Sequence, residues 1–351
     1  MKPRPTPIPQ ALRAQYAEYL APQHTVGRFG NGWQSGPMPG LSGVLRWKTQ
    51  RNRQRASDYR VRPLTLPERG WDDFLALSGF PTRAYWIGHA SFLLELDGAR
   101  FVIDPIFGRA GGLVPRVTPA AAGAAQLTGL SAVLVTHGHH DHLDPAALRQ
   151  LALANAGKTR FIVPRGLGGM LPRECQASLI ELDWWQFVEL DGVRVHLTPA
   201  QHWHRRGAFD LNKALWGGFV LEGTHRVFHS GDTGFFGGFE AIGQVFGGID
   251  MACLPLGAYE PRWFMQTQHM SPEQSLDAKT ALAARHFVGM HWGAYDLSDE
   301  PLSAGPALVR EQAAARGIPR EQLHVLAPGG SIALRGARGD THADVQHVYA
   351  P

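Results

Sequence analysis

The stretch Thr136-His137-Gly138-His139-His140-Asp141-His142 follows directly on the apolar run SAVLV and constrains this chain more than any other segment. Four imidazoles and a carboxylate packed so closely are hard to account for by core packing, but they suit metal chemistry. Side chains two apart in an extended segment share a side, so His137 and His139 can grip one cation. Asp141 and His142 fall where the chain turns into a helix, and can reach a second cation a few Å away. His140 lies inside the run with its side chain expected to face away.

The surrounding pattern alternates short apolar runs with turn signals. RAYWIGHASFLLEL and ARFVIDPIF are joined by Asp97-Gly98, a hairpin signal, and His89 reads as a buried turn or supporting histidine. After the histidine run, Asp144 caps a helix whose first turn takes Pro145 and whose end is expected at Gly157. RFIVP and SLIEL read as strands. QFVEL and VRVHLTP pair through Asp191-Gly192, and LWGGFVLEG pairs with RVFHSGD. GFEAIGQVF is a short helix, IDMACLPLG a strand, and Ser271-Pro272 with Gln274 starts a capped helix. FVGMHWG and LHVLAPGGSIAL complete the strands, with a helix near Pro306–Arg316 between them. Such units imply an α/β fold with mixed sheets and polar residues along one sheet edge. The 41 glycines and 25 prolines agree with many tight turns. Residues 1–80 are predicted to be an irregular extension packing on the main domain, which spans 81–340, with a tail over 341–351.

Three isolated candidates also follow apolar runs: His202 in TPAQHWH, Asp232 in HSGDTG and His291 in GMHWG. Each alone is more often structural. Together they complete two sites of nitrogen and oxygen ligands, with Asp232 able to bridge. No cysteine takes part, which suits zinc and leaves iron and manganese open.

Cys175 and Cys253 are too few for a disulfide scaffold and read as buried thiols in a reducing compartment. No signal-peptide pattern and no apolar run long enough to cross a bilayer is present, so a cytoplasmic address is expected. The net charge of +4 comes without a basic, aromatic-interleaved arm, which argues against a nucleic-acid partner.

HGHHDH matches the HxHxDH signature of the metallo-β-lactamase superfamily. The ordered series RFGNGW, VLRW, WIGHASFLLEL, IDPIF, ELDWW, TPAQHW, LWGGF, SGDTGFF, GAYEPRWFM, QHMSPEQ and MHWGAY resembles N-acyl-phosphatidylethanolamine-hydrolysing phospholipase D and its bacterial relatives. The resemblance runs from about Gly27 to Leu302. It implies a four-layer αββα sandwich with a site for two divalent metal ions on one edge. His137, His139 and His202 would hold one ion, Asp141, His142 and His291 the other, and Asp232 would bridge. Asp104 would brace the histidine loop. Two such ions supply hydroxide near neutral pH for attack on phosphorus. Asp141 would orient the nucleophile, Asp232 would link the ions, and His269 is the candidate for contact with the leaving group.

The substrate implied is a phospholipid or another phosphodiester, with peripheral contact at the inner membrane surface and a homodimer as further expectations. Trp184, Trp185, Trp203, Trp216, Phe235, Phe236, Tyr259, Trp263 and Phe264 are either core or the lining of an acyl-chain groove. His204-Arg205-Arg206 is either a solvated loop or an attractor of anionic head groups. The competing readings are a hydrolase of a soluble ester, lactone or nucleotide, a nuclease, and a non-catalytic binding protein on the same scaffold.

Overall fold

A computed structural model describes residues 1–33, 41–50, 63–156, 158–336 and 345–348. Strands account for the alternating runs. Leu94 and Trp86 join a core shared with Leu197, Phe219 and Met251 of other strands, while Tyr85, Leu93 and Val133 join a second core with Phe74, Leu148 and Leu151. This alternation follows the two-residue period of a strand. Both faces of each central strand are covered, which is why Thr82–Gly88, Ser91–Leu96 and Ile249–Pro255 are buried throughout.

Two eight-stranded sheets result. One runs in the order Arg4–Pro5, Gln186–Leu190, Val193–Thr198, Gly218–Glu222, Arg226–His229, Ile249–Pro255, Ala284–Met290 and Leu323–His324. The other runs in the order Val345–Val348, Ser331–Leu334, Thr82–Gly88, Ser91–Leu96, Ala99–Ile103, Ala132–Leu134, Arg160–Pro164 and Leu179–Leu182. Each sheet is antiparallel in its first part and parallel in its last three pairings. The parallel portions need helical crossovers, and these supply the outer layers. Pro145–Ala154 covers one sheet, with Asp144 accepting from the Ala146 N–H at 2.9 Å. Gly238–Phe246, Pro272–Ala281 and Ala304–Ala315 cover the other, the second of them opened by the Ser271–Gln274 capping box. The four-layer sandwich expected above is the architecture found.

Several local expectations are corrected. RAYWIGHASFLLEL is two strands, because Gly88 at φ 118° and His89 at φ 59° turn the chain between them. LHVLAPGGSIAL is also two: Leu323–His324 lies in one sheet, and Ser331–Leu334, beyond Pro328-Gly329-Gly330, lies in the other. The segment 1–80 is more regular than its composition suggests. Arg4–Pro5 pairs with Gln186–Phe187, the Thr6 N–H donates to Trp185 O at 2.7 Å, and Gln10–Gln15 and Gly70–Ala76 are helices. Elements this short leave no periodicity to read. Trp33 from the same segment stacks on Phe236 with ring centroids 5.2 Å apart. Val345–Val348, expected within a tail, is an edge strand on Ser331–Leu334. Gly157 lies outside the described residues, and the helix before it ends at Ala154. Cys175 and Cys253 are free and buried, and no described helix is long and apolar enough to cross a membrane.

Candidate metal centre

Each candidate side chain sits where a strand ends. Asp104 follows Ala99–Ile103, the histidine run follows Ala132–Leu134, His202 follows Val193–Thr198, Asp232 follows Arg226–His229 and His291 follows Ala284–Met290. His89 occupies the turn after Thr82–Gly88. Asp104, His89 and His291 all have positive φ, at 46°, 59° and 60°. Backbone strain of this kind persists only where surrounding contacts hold it, and it re-aims the side chains toward one edge. Gly138 is required by a close approach: a Cβ there would overlap the His204 ring.

The side chains gather into two neighbouring groups, one of His137, His139, His202 and Asp232, the other of His89, Asp141, His142 and His291. His139 Nδ1 lies 2.9 Å from His137 Nε2 and 3.1 Å from His202 Nε2. Asp232 stands between the groups. Its Oδ2 is 3.2 Å from His142 Nε2, 3.8 Å from His137 Nε2 and 4.0 Å from His202 Nε2, and its Oδ1 is 3.1 Å from His291 Nε2. Asp141 Oδ2 is 3.6 Å from both His142 Nε2 and His291 Nε2.

The hydrogen bonds behind these groups set the tautomers. Asp104 Oδ1 accepts from the Thr136 N–H at 2.7 Å, and Oδ2 accepts from the Thr136 hydroxyl at 2.6 Å and from His142 Nδ1 at 2.7 Å. With its hydrogen committed to Asp104, the Thr136 hydroxyl accepts from His137 Nδ1 at 2.9 Å. His202 Nδ1 donates to the Gln268 carbonyl at 3.1 Å. His137 and His202 therefore turn nitrogen lone pairs toward His139, an arrangement built for a cation.

Electrostatics agree. Burial, followed by neighbouring imidazoles, holds His137 and His202 well below the usual histidine range, and burial pushes His139 down to about 3. Three neutral imidazoles thus meet with too few hydrogens to satisfy one another. Four ligands at zinc distance in a tetrahedron stand about 3.3 Å apart, close to the spacings seen here. In the second group burial lowers His142 and His291, but Asp232 and Asp141 outweigh it. His142 ends well above its ordinary range and His291 at about 9. Burial raises Asp141 and Asp232, yet the adjacent imidazoles hold both well below the usual carboxylate range. Two anionic carboxylates among imidazoles, with Asp232 Oδ1 buried without a hydrogen bond between them, fit divalent cations by charge and by donor chemistry.

His140 is exposed, as its place in the run predicts. His269 lies at the margin of the groups: its Nδ1 is 3.9 Å from Asp232 Oδ2 and has no hydrogen-bond partner, and burial pushes it down to about 4. His89 is the buried turn histidine that its sequence context indicated, and it supports Asp141, with Nε2 3.0 Å from Asp141 Oδ2 and its ring centroid 4.0 Å from that of His291. Its turn position was the only sequence signal. Of the aromatic candidates, Trp184, Trp185, Trp216, Phe236, Tyr259 and Phe264 are buried, while Trp203, Phe235 and Trp263 keep open surface. Arg206 is committed to the histidine loop, donating to the carbonyls of Gly138 and Leu143 at 3.1 and 2.9 Å, rather than free to meet an anion.

A sequence model of the beta-lactamase superfamily domain matches residues 99–292, more than half the chain and every residue of the two groups except His89. The chain belongs to the beta-lactamase superfamily. Within it, the chain is 33% identical over 282 residues to N-acyl-phosphatidylethanolamine-hydrolyzing phospholipase D 1 of Caenorhabditis elegans, covering 75% of this chain and 78% of that one. It is 30% identical over 253 residues to a metal-dependent hydrolase of Pyrobaculum aerophilum, covering 70% of this chain and 96% of the relative. Among solved structures, a metallo hydrolase of Ignicoccus hospitalis shares the fold, with a TM-score of 0.54 and 22% identity over 77% of this chain and 99% of the other. This superfamily member is a metal-dependent hydrolase with His/Asp groups able to bind metal.

Proposed function

We propose that this protein is a phosphodiesterase of the phospholipase D type, acting on N-acylphosphatidylethanolamine-like lipids through two divalent ions, with zinc as the resident metal. The observation that carries the two-ion reading is the position of Asp232, whose two carboxylate oxygens face different imidazoles and whose Oδ2 lies within 4.0 Å of both groups. His137, His139, His202 and Asp232 would hold one ion, and Asp141, His142, His291 and Asp232 the other. Bound ions would supply hydroxide near neutral pH and neutralise phosphoryl oxygens.

The chain's own groups do the positioning. Asp104 and Thr136 fix which nitrogen His137 and His142 present. His89 donates to Asp141 and leaves its carboxylate oriented toward the site, where it can accept a hydrogen bond from the nucleophile and orient it. His269, neutral at physiological pH with an unpartnered Nδ1, can hydrogen-bond the leaving alkoxide. Trp203, whose ring centroid is 4.8 Å from that of His139, can meet an apolar arm of the substrate, as can Phe235 and Trp263. The nematode relative, a phospholipase D by name, supports the lipid substrate. The same reading takes a cytoplasmic address, peripheral contact at the inner membrane surface, a homodimer without nucleic-acid partners, and a hydrolase domain over 81–340 behind the extension of 1–80.

The test is kcat/KM for phosphodiesters of increasing acyl length in detergent micelles. Each methylene buried in an apolar groove is worth about 0.8 kcal/mol, close to fourfold, so the series should rise steeply before levelling off. A flat series joined with fast lactone or cyclic-nucleotide cleavage would leave a metal hydrolase of soluble substrates instead.

A further inference from the structure

Three residues beyond His202 the chain surfaces in a loop that packing does not explain. The loop is closed at its neck, where the Asn212 N–H donates to His204 O at 2.8 Å and the His204 N–H donates to Asn212 Oδ1 at 3.0 Å. Inside it, the Asp210 carboxylate accepts from the N–H groups of Arg206 and Gly207 at 2.8 to 3.2 Å. Its own hydrogen bonds therefore shape the loop, and Phe209 at its crown is 85% exposed. A buried phenylalanine is worth roughly 1.5–3 kcal/mol, and none of that is gained here by the folded chain.

A second apolar tip stands beside it. The hairpin of Gln23–Thr25 and Arg28–Gly30 is tied to the loop by the Phe29 N–H, which donates to Asn212 O at 2.8 Å. Its turn carries Val26, 96% exposed and at φ 48°, a backbone conformation that β-branched residues avoid. Arg28, Arg205 and Lys213 line one open depression with Phe209, Ala208 and Leu211. Among the described residues no carboxylate pairs with Arg28, Arg205 or Lys213. Two exposed apolar tips flanked by unpaired cations form the pattern of an interfacial anchor, in which apolar side chains enter the acyl boundary and cations meet anionic head groups. The loop is also joined to the metal centre through Arg206, which holds the carbonyls of Gly138 and Leu143, and through Trp203 beside His139.

We propose that the loop 203–213 and the hairpin tip at Val26 form a docking surface for an anionic phospholipid bilayer. The proposal rests on the lipid reading of the substrate given above, and it identifies where the enzyme meets the membrane. Phe209 and Val26 enter the interface, and Arg28, Arg205 and Lys213 contact lipid phosphates. Docking there sets the centre within a few residues of the bilayer surface.

The test is sedimentation of the full chain with vesicles of phosphatidylcholine, with and without phosphatidylglycerol, for the wild type, Phe209→Ser and the double variant Arg28→Gln/Lys213→Gln. The wild type should bind the phosphatidylglycerol vesicles and release them at high salt. Each cation removed should weaken binding about fivefold, so the double variant should lose about 25-fold. Phe209→Ser should lose about tenfold or more. All three proteins should hydrolyse a water-soluble aryl phosphodiester at the same rate, because none of these residues reaches the centre. Wild type that ignores phosphatidylglycerol vesicles, or variants that bind them unchanged, would overturn the docking surface. So would tight binding of a single-stranded oligonucleotide lost in the same variants, which would assign the patch to nucleic acid. The two readings separate cleanly. Vesicle binding through this loop without lipid hydrolysis would keep the surface and remove the lipid substrate, and lipid hydrolysis in micelles without vesicle binding would do the reverse.

Discussion

Replacing Asp104 by Asn tests how the centre is assembled from behind. Asp104 is fully buried, and three donors converge on its carboxylate: the Thr136 N–H, the Thr136 hydroxyl and His142 Nδ1, at 2.7, 2.6 and 2.7 Å. Asparagine is nearly isosteric and tolerates the φ of 46°, so the backbone need not move. Its single oxygen can keep the two donors on the Oδ2 side, which sets its NH2 against the Thr136 N–H. One buried donor left unpaired costs about 1–3 kcal/mol, and two charge-assisted bonds made neutral cost about 0.5–1 kcal/mol each. The metal-free variant should therefore be less stable by about 2–5 kcal/mol, read as a fall in the urea midpoint. His142 and, through Thr136, His137 lose the partner that fixes their presented nitrogen, so zinc affinity should drop by about 10–100-fold in a chelator competition. Unchanged metal-free stability together with wild-type zinc affinity would refute the bracing role. A loss of stability with normal affinity would show that Asp104 supports the fold but not the ligands.

Asp232→Asn should cost more than loss of any single terminal ligand, about 10²-fold or more in kcat, because it weakens both sites; near-normal turnover with full metal would contradict the bridging position. His142 well above its ordinary pKa and His291 at about 9 carry protons at neutral pH in the metal-free protein, and ligation needs both free of them. Zinc uptake at pH 7 should thus release about two protons per chain, seen calorimetrically as a heat that scales with the buffer's ionisation enthalpy, and affinity should fall as pH falls. Glu222 offers a control away from the centre: close approach of His196 and pairing with Arg226 pull its pKa from 4.5 down to about 2, against its burial. A folded pKa below the unfolded one stabilises above about pH 4.5 and is lost as pH falls toward about 2, so Glu222→Gln should cost about 1–3 kcal/mol at pH 7 and progressively less in acid. A pH-independent difference would mean that the charge is not the cause.

What was legible in the sequence followed from residue type and period. The histidine run announced itself because no packing pattern needs four imidazoles in one loop. The lone His202, Asp232 and His291 were legible only as strand-end residues completing the series, and the structure brings them beside the run. His89 was legible as a buried turn or supporting histidine, but its partner Asp141 was not, because that approach depends on a turn inside an apolar stretch that reads as continuous. Trp184 and Trp216 look like groove residues beside the metal motifs, yet the Trp184 indole N–H donates to Trp216 O at 2.6 Å inside the core. Which face an aromatic covers depends on which strands pair, and strand order is not written in local periodicity. The same holds for Arg4–Pro5 and Val345–Val348, edge strands defined by their partners rather than by their own residues.

Whether these side chains hold two metal ions can be read from anomalous diffraction at the zinc edge on zinc-repleted crystals. Two neighbouring peaks are expected, one enclosed by His137, His139, His202 and Asp232, the other by Asp141, His142, His291 and Asp232. Absence of any peak at this strand-end edge, or a single peak with Asp232 turned away from it, would contradict a two-metal site.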